Sequence, residues 1–188
     1  MGWLCLTLEG TALQWAFNEK GVIERVQAVQ LFVAGLACFA AFLVGSIAEE
    51  RWVSILFAFA LLWGSNRERD SRWEDLELDW AFDTLRVVIA APIAAIVLCR
   101  HSECLTGWRN GVGRMSHRLF VGGVCFYLAG QGMGRLMKEL GATRPLKRLS
   151  EEGLELLGGA FLALAAVELL FEVLAARKAG RRTGMPGG

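Results

Sequence analysis

Between Arg25 and Glu49 the chain runs for 23 residues, positions 26–48, without one charged side chain. This stretch limits the possible folds more than any other feature. At about 1.5 Å of rise per residue, a helix of that length crosses the roughly 30 Å hydrocarbon core of a bilayer. A helix in a soluble core rarely stays uncharged for so long, so the chain reads as an integral membrane protein. Its apolar share of 54% agrees, since soluble domains usually carry roughly half or less.

Four more apolar segments follow, giving an all-α, polytopic bundle of about five transmembrane helices in one domain, residues 1–176. The spans are expected at 26–48, 52–66, 85–100, 119–137 and 151–176. The sequence Glu49-Glu50-Arg51 reads as a tight polar turn between the first two. The second span is short, with Trp52 and Trp63 placed as an aromatic belt. Pro92 lies inside the third and removes a backbone donor, so a bend is expected there. A loop is expected over 101–118, a second over 138–149, and a disordered basic tail over 177–188.

The segment 67–86 is the longest polar stretch. Asp75, Asp79 and Asp83 recur every four residues, and Trp73, Leu76 and Trp80 mark a different stripe. That spacing predicts an amphipathic helix lying in the membrane interface around 71–84. The N-terminal residues 1–17 are apolar but lack the basic start of a signal peptide, and are expected to lie along the membrane surface.

An odd number of spans puts the N-terminus, the 67–86 segment and the 138–149 loop at one membrane edge, here edge A. The remaining loops and the C-terminus fall at edge B. Lys and Arg are shared almost evenly, so charge bias hardly orients the chain. The short basic 138–149 loop points to edge A as cytoplasmic. Arg outnumbering Lys, with abundant Gly and Ala, points to a bacterial inner membrane.

Three groups of residues bear on function. The first is acidic. Glu151, Glu152 and Glu155 follow Ser150, a candidate N-cap, where negative charge favours the helix dipole. Glu155 sits about a turn inside the apolar boundary, where an ionised carboxylate is costly unless paired. Topology brings Glu152 and Glu155 to the same edge as Arg67, Glu68, Asp70, Asp79, Asp83 and Arg86. Together they make a candidate polar or ion site, able to hold a cation, relay protons or grip a lipid headgroup. The plain alternative is a set of salt bridges fixing helix register.

The second group is glycine. Gly130 and Gly134, four apart, and Gly158 and Gly159 allow close helix packing where lipid gives no hydrophobic drive. Packing of the fourth span on the fifth is expected ahead of a dimer interface. The third group, Cys99, His101, Cys104 and His117, offers zinc-type ligands at an irregular spacing, so the metal is unknown. Glu168 and Glu172, near the end of the fifth span, are expected beside Arg100, His101, His117, Arg118 and the 49–51 turn, as charge pairs or, alternatively, as the far end of a proton path to the edge A carboxylates.

A net charge of +1 gives no electrostatic footprint for nucleic acid. The chain carries no G-x-S-x-G, H-E-x-x-H or phosphate-loop lysine motif, which favours a non-enzyme. The sequence leaves any cofactor unknown. The expected partners are the lipid bilayer and either a second copy or another membrane protein. An accessory or interaction protein is the leading expectation, with a small cation- or proton-coupled transporter or lipid-headgroup-binding protein behind it.

Overall fold

The computed structural model describes residues 22–45, 48–67 and 79–182. Five helices make up almost all of them: α1 (Val22–Val44), α2 (Ala48–Arg67), α3 (Asp79–Gly111), α4 (Met115–Glu139) and α5 (Arg144–Arg182). The protein is all-α, and no strand occurs among the described residues. Residues 1–17, and positions 71–78 of the expected amphipathic segment, lie outside the described residues.

Three helical segments are long and apolar enough to cross a membrane: Val22–Val44, Trp80–Gly111 and Leu146–Ala179. They are compatible with an integral membrane protein. The helices α2 and α4 fall below that standard for identifiable reasons. Charged residues crowd the ends of α2, and glycines, Gln131 and Arg135 dilute α4.

Most helix boundaries extend beyond the expected spans, because charges that mark a membrane edge do not stop a helix; α1 instead ends at Val44, short of the expected 48, which belongs to α2. Glu49-Glu50-Arg51 belongs to the first turn of α2 rather than to a turn, with acidic residues at the favourable end of the helix dipole. This end of α2 lies back against α1. There Arg51 donates to the Phe42 carbonyl at 3.1 Å and lies over the Phe42 ring, so that it caps the end of α1.

The expected 101–118 loop is helical as far as Gly111, and only residues 112–114 turn. Pro92 leaves α3 unbroken. The helical path breaks instead at Arg100, with φ −130° and ψ 23°. α5 begins at Arg144, and Pro145 fits its first turn because it lacks a donor that would go unused there. Ser150 is therefore inside the helix, donating to the Lys147 carbonyl rather than capping. The helix also runs through 177–182, where the sequence suggested disorder.

The helices pack in the order α3–α2–α1–α5–α4, with a light contact between α3 and α4. Leu31, Ala34, Cys38 and Ala41 of α1 meet Val53, Phe57, Ala58 and Leu61 of α2, and Leu162, Leu169 and Val173 of α5. Outside this core the usual arrangement is inverted. Val26, Val29, Phe32, Val33, Leu36 and Phe39 cover the outer face of α1, while Gln27 is buried. Apolar outside and polar inside is the distribution expected of helices that face lipid.

The pair α4 and α5 packs backbone to backbone. A Cβ added at Gly158 would stand 2.7 Å from the Tyr127 amide nitrogen and 2.9 Å from the Gly123 carbonyl oxygen. One added at Gly130 would meet the Glu151 carbonyl at 2.9 Å, and Gly134 lies against the Glu151 carboxylate. After Glu139, Gly141 at φ 67° ends α4. Ala142 and Gly141 there donate to the Met137 and Lys138 carbonyls, so a left-handed residue satisfies the last free acceptors.

Candidate functional site

At edge A the buried side chains turn polar on four helices. Glu155 of α5 is only 6% exposed, and Gln27 of α1 only 1%. Ser65 and Asn66 of α2 are buried too, and Gln131 projects from α4. All but Asn66 are held by a contact between helices. The amide of Gln131 donates to Glu155 Oε1, and the Glu155 Cγ packs on Gly130. The Gln27 amide donates to the Glu152 carbonyl at 3.3 Å. The Ser65 hydroxyl donates to the Ala28 carbonyl at 2.7 Å. Gln30 lies over Gly159, its Oε1 2.8 Å from where a Cβ would be.

The period of the α5 helix explains why Glu155 is central. At roughly 3.6 residues per turn, positions 151, 158 and 162 share one face and 152 and 159 another. The first face meets α4 and the second meets α1. Position 155 falls at the seam between them.

Polar bookkeeping within this layer does not close. Gln27 Oε1, Gln30 Oε1 and Asn66 Nδ2 are buried without a hydrogen-bond partner. The orientation of Gln27 follows from its contact: a backbone carbonyl only accepts, so Nε2 faces Glu152 and Oε1 must face elsewhere. A buried acceptor without a donor costs about 1–3 kcal/mol. The two oxygens lie against the Glu152 and Gly159 turns of α5, on either side of Glu155, and want a donor or positive charge, while Asn66 Nδ2 wants an acceptor.

Among the acidic and basic residues flagged by sequence, the structure brings only some to this layer. Glu155 lies in it, and Glu152 contributes its carbonyl. Asp83 is exposed and pairs along its own helix with Arg86 at 3.8 Å, while the Arg86 guanidinium covers the Phe82 ring. Arg67 ends α2 and Asp79 begins α3. Glu68 and Asp70 lie outside the described residues. Gly130, Gly134, Gly158 and Gly159 sit at the contacts of α5 with α4 and α1.

The amides Gln27, Gln30, Asn66 and Gln131 were not singled out by charge, because each is neutral. Their signal is nevertheless present, since uncharged polar residues inside apolar spans seek partners on neighbouring helices.

Cys99, His101, Cys104 and His117 do not form a centre. Cys99 and His101 are exposed, whereas His117 is buried. Among the described residues, no three His, Cys, Asp or Glu side chains come together to hold a metal ion. At edge B, Glu172 does reach the start of α4, as its position suggested, and Arg114 forms an ion pair with Glu50. The buried face of α5 between Glu155 and Glu172 carries Leu162, Ala165, Ala166 and Leu169. That face is apolar, and Glu168, half-buried, is the one acidic side chain on α5 between the two ends.

No protein-family model, curated protein or solved structure matches the chain. A functional reading therefore rests on the geometry alone.

Proposed function

We propose that the chain is a multi-pass protein of a bacterial inner membrane that binds a monovalent cation at its polar end. Glu155 would supply the negative charge, and the Gln27 and Gln30 carbonyls would supply neutral oxygens. The supporting observation is Gln27, almost wholly buried, with its carbonyl lacking a donor. One carboxylate with neutral oxygens suits a single positive charge. A divalent ion such as calcium prefers six to eight oxygens, several of them charged. The site lies near the A-edge ends of α1, α2, α4 and α5, so an ion would enter from that edge rather than from lipid. Coupling of such a site to transport is the functional class it fits.

Thermal unfolding in nanodiscs provides the test, comparing sodium, potassium and choline chlorides at equal ionic strength. A cation at 100 times its dissociation constant stabilises the folded state by about 2.7 kcal/mol. Sodium or potassium should therefore raise the midpoint by several degrees over choline. Glu155→Gln and Gln27→Leu should each abolish the difference. Identical midpoints in all three salts for folded wild-type protein would remove this reading.

An accessory role remains the second reading, and one observation favours it. The apolar stretch of α3 is 6% buried, with Val87, Val88 and Leu98 outward. This helix has room for a partner helix or a second copy. The glycine face of α4 does not, because α5 covers it. A cysteine at Val88 should then crosslink between copies in membranes, and a monomer alone would weigh against self-association.

A further inference from the structure

The corner where α3 meets α4, at the opposite edge from the cation site, contains a buried imidazole with one nitrogen unused. His117 is 4% exposed, just ahead of the 119–137 apolar stretch of α4. Its ring is boxed by Trp108, with centroids 5.2 Å apart, and Phe57 at 6.0 Å. Phe57 in turn stacks on Phe120 at 3.7 Å and meets Trp108 edge-on. On its remaining side the imidazole lies directly against Gly111, at the end of α3, where any side chain would collide with it.

Hydrogen bonding fixes the protons. The Ser116 hydroxyl donates to Glu172 Oε2 at 2.8 Å, and the Ser116 amide reaches Glu172 Oε1 at 3.4 Å. A carboxylate from α5 thus serves the free donors at the start of α4. Since the hydroxyl proton is committed to Glu172, the 3.3 Å contact from Ser116 Oγ to His117 Nδ1 requires the proton to sit on Nδ1. Nε2 is then a bare lone pair, buried and without a partner. The ring is neutral in this arrangement, and a proton added at Nε2 would find glycine backbone and aromatic carbon around it.

What the ring holds in place is the second segment of α3, residues 101–111. One end of that segment is the break at Arg100, and the other is the 112–114 turn. Its inward anchors are Cys104, packed on the core, Trp108, in the aromatic box, and Gly111, under the imidazole. We propose that His117 is a proton-operated latch: neutral, it fastens the 101–111 segment to the bundle, and protonation at Nε2 releases it.

The electrostatics have competing signs. Burial pushes the imidazole below its ordinary value of 6.5, Glu172 from α5 and Glu50 from α2 oppose this, and Arg114 in the turn adds to it. Burial prevails, so the closed form favours neutral His117 and the open form takes up a proton. For a group whose folded value is depressed in this way, the open state binds more protons, and acid favours opening. The effect begins as pH falls through about 6.5 and grows below it. An imidazole that stayed neutral when closed would multiply the open population up to about thirty-fold between pH 7.5 and pH 5.

Hydrogen exchange of the full chain in nanodiscs, expressed as protection factors, reads this directly. Protection of residues 101–111 should fall by at least about tenfold from pH 7.5 to pH 5 in wild type, while α1 and the middle of α5 stay unchanged. His117→Phe fills the aromatic box without a titrating group and should hold its protection across that range. If that variant does not assemble, His117→Gln, neutral at every pH, carries the same expectation. Wild-type protection independent of pH would overturn the latch. So would an equal loss in wild type and variant, which would assign the opening to the carboxylates instead.

Discussion

Replacing Gly158 by Leu should cost at least about 3 kcal/mol and leave little monodisperse protein after extraction. Inserting atoms into a packed interface commonly costs about 1–3 kcal/mol, when neighbouring side chains can shift. Here the neighbours are the Tyr127 amide and the Gly123 carbonyl, both backbone, and neither can move without displacing α4. Gly159→Ala should be far milder, because its nearest neighbour is the flexible end of Gln30. Gly132→Ala meets nothing and should be neutral, or more stable by up to about 1 kcal/mol from helix propensity. Unfolding midpoints of the three variants in one nanodisc preparation would rank them. If Gly158→Leu matched Gly132→Ala, close packing of α4 on α5 would be wrong.

The second large effect is expected at Phe57. It is buried where α2, the 101–111 segment and α4 converge, stacked on Phe120 and edge-on to Trp108. Truncation to Ala leaves a cavity and should cost about 3 kcal/mol, within the usual range for buried aromatics. The loss should be local in its dynamics. Residues 101–111 should exchange faster at neutral pH, while the edge A layer keeps its protection and its salt response. A global loss of protection, edge A included, would mean that the corner and the polar layer are not independent.

Much of the architecture was legible because charge-free length is a direct physical quantity. Most of the 26–48 stretch had to be helical whatever surrounded it, and it is helical as far as Val44. Helix ends were harder, since a membrane edge and a helix end are different events. Glu49, Glu50 and Arg51 mark the first, yet they favour continuation of the second. Arg177 and Lys178 likewise follow an Ala-rich run and extend α5 past its apolar part.

The site was half legible. Glu155 stood out because its depth is costly, and the carboxylate is indeed buried beside Gln131. Asp83 lay on a regular acidic stripe, but periodicity gives a face without saying which way the face turns, and it points outward. Sequence proximity groups His117 with Cys99, His101 and Cys104. The break at Arg100 and the corner at 112–114 sent it to a different environment.

The order of packing also bears on how such a chain enters a bilayer. α1 and α5 are apolar enough to partition into lipid unaided, and each lies against a weaker neighbour, α2 and α4. Short connections join each pair, so each forms a helical hairpin in which a strong segment accompanies a weak one. For the first hairpin the strong helix leaves the ribosome ahead of its partner. For the second the order is reversed: α4, with its glycines, Gln131 and Arg135, emerges first and must wait. A chain truncated after residue 143 and released should therefore leave α4 reachable by aqueous reagents, and the chain that also carries α5 should withdraw it. Biogenesis would then hinge on the same Gln131–Glu155 and glycine contacts that later shape the polar end.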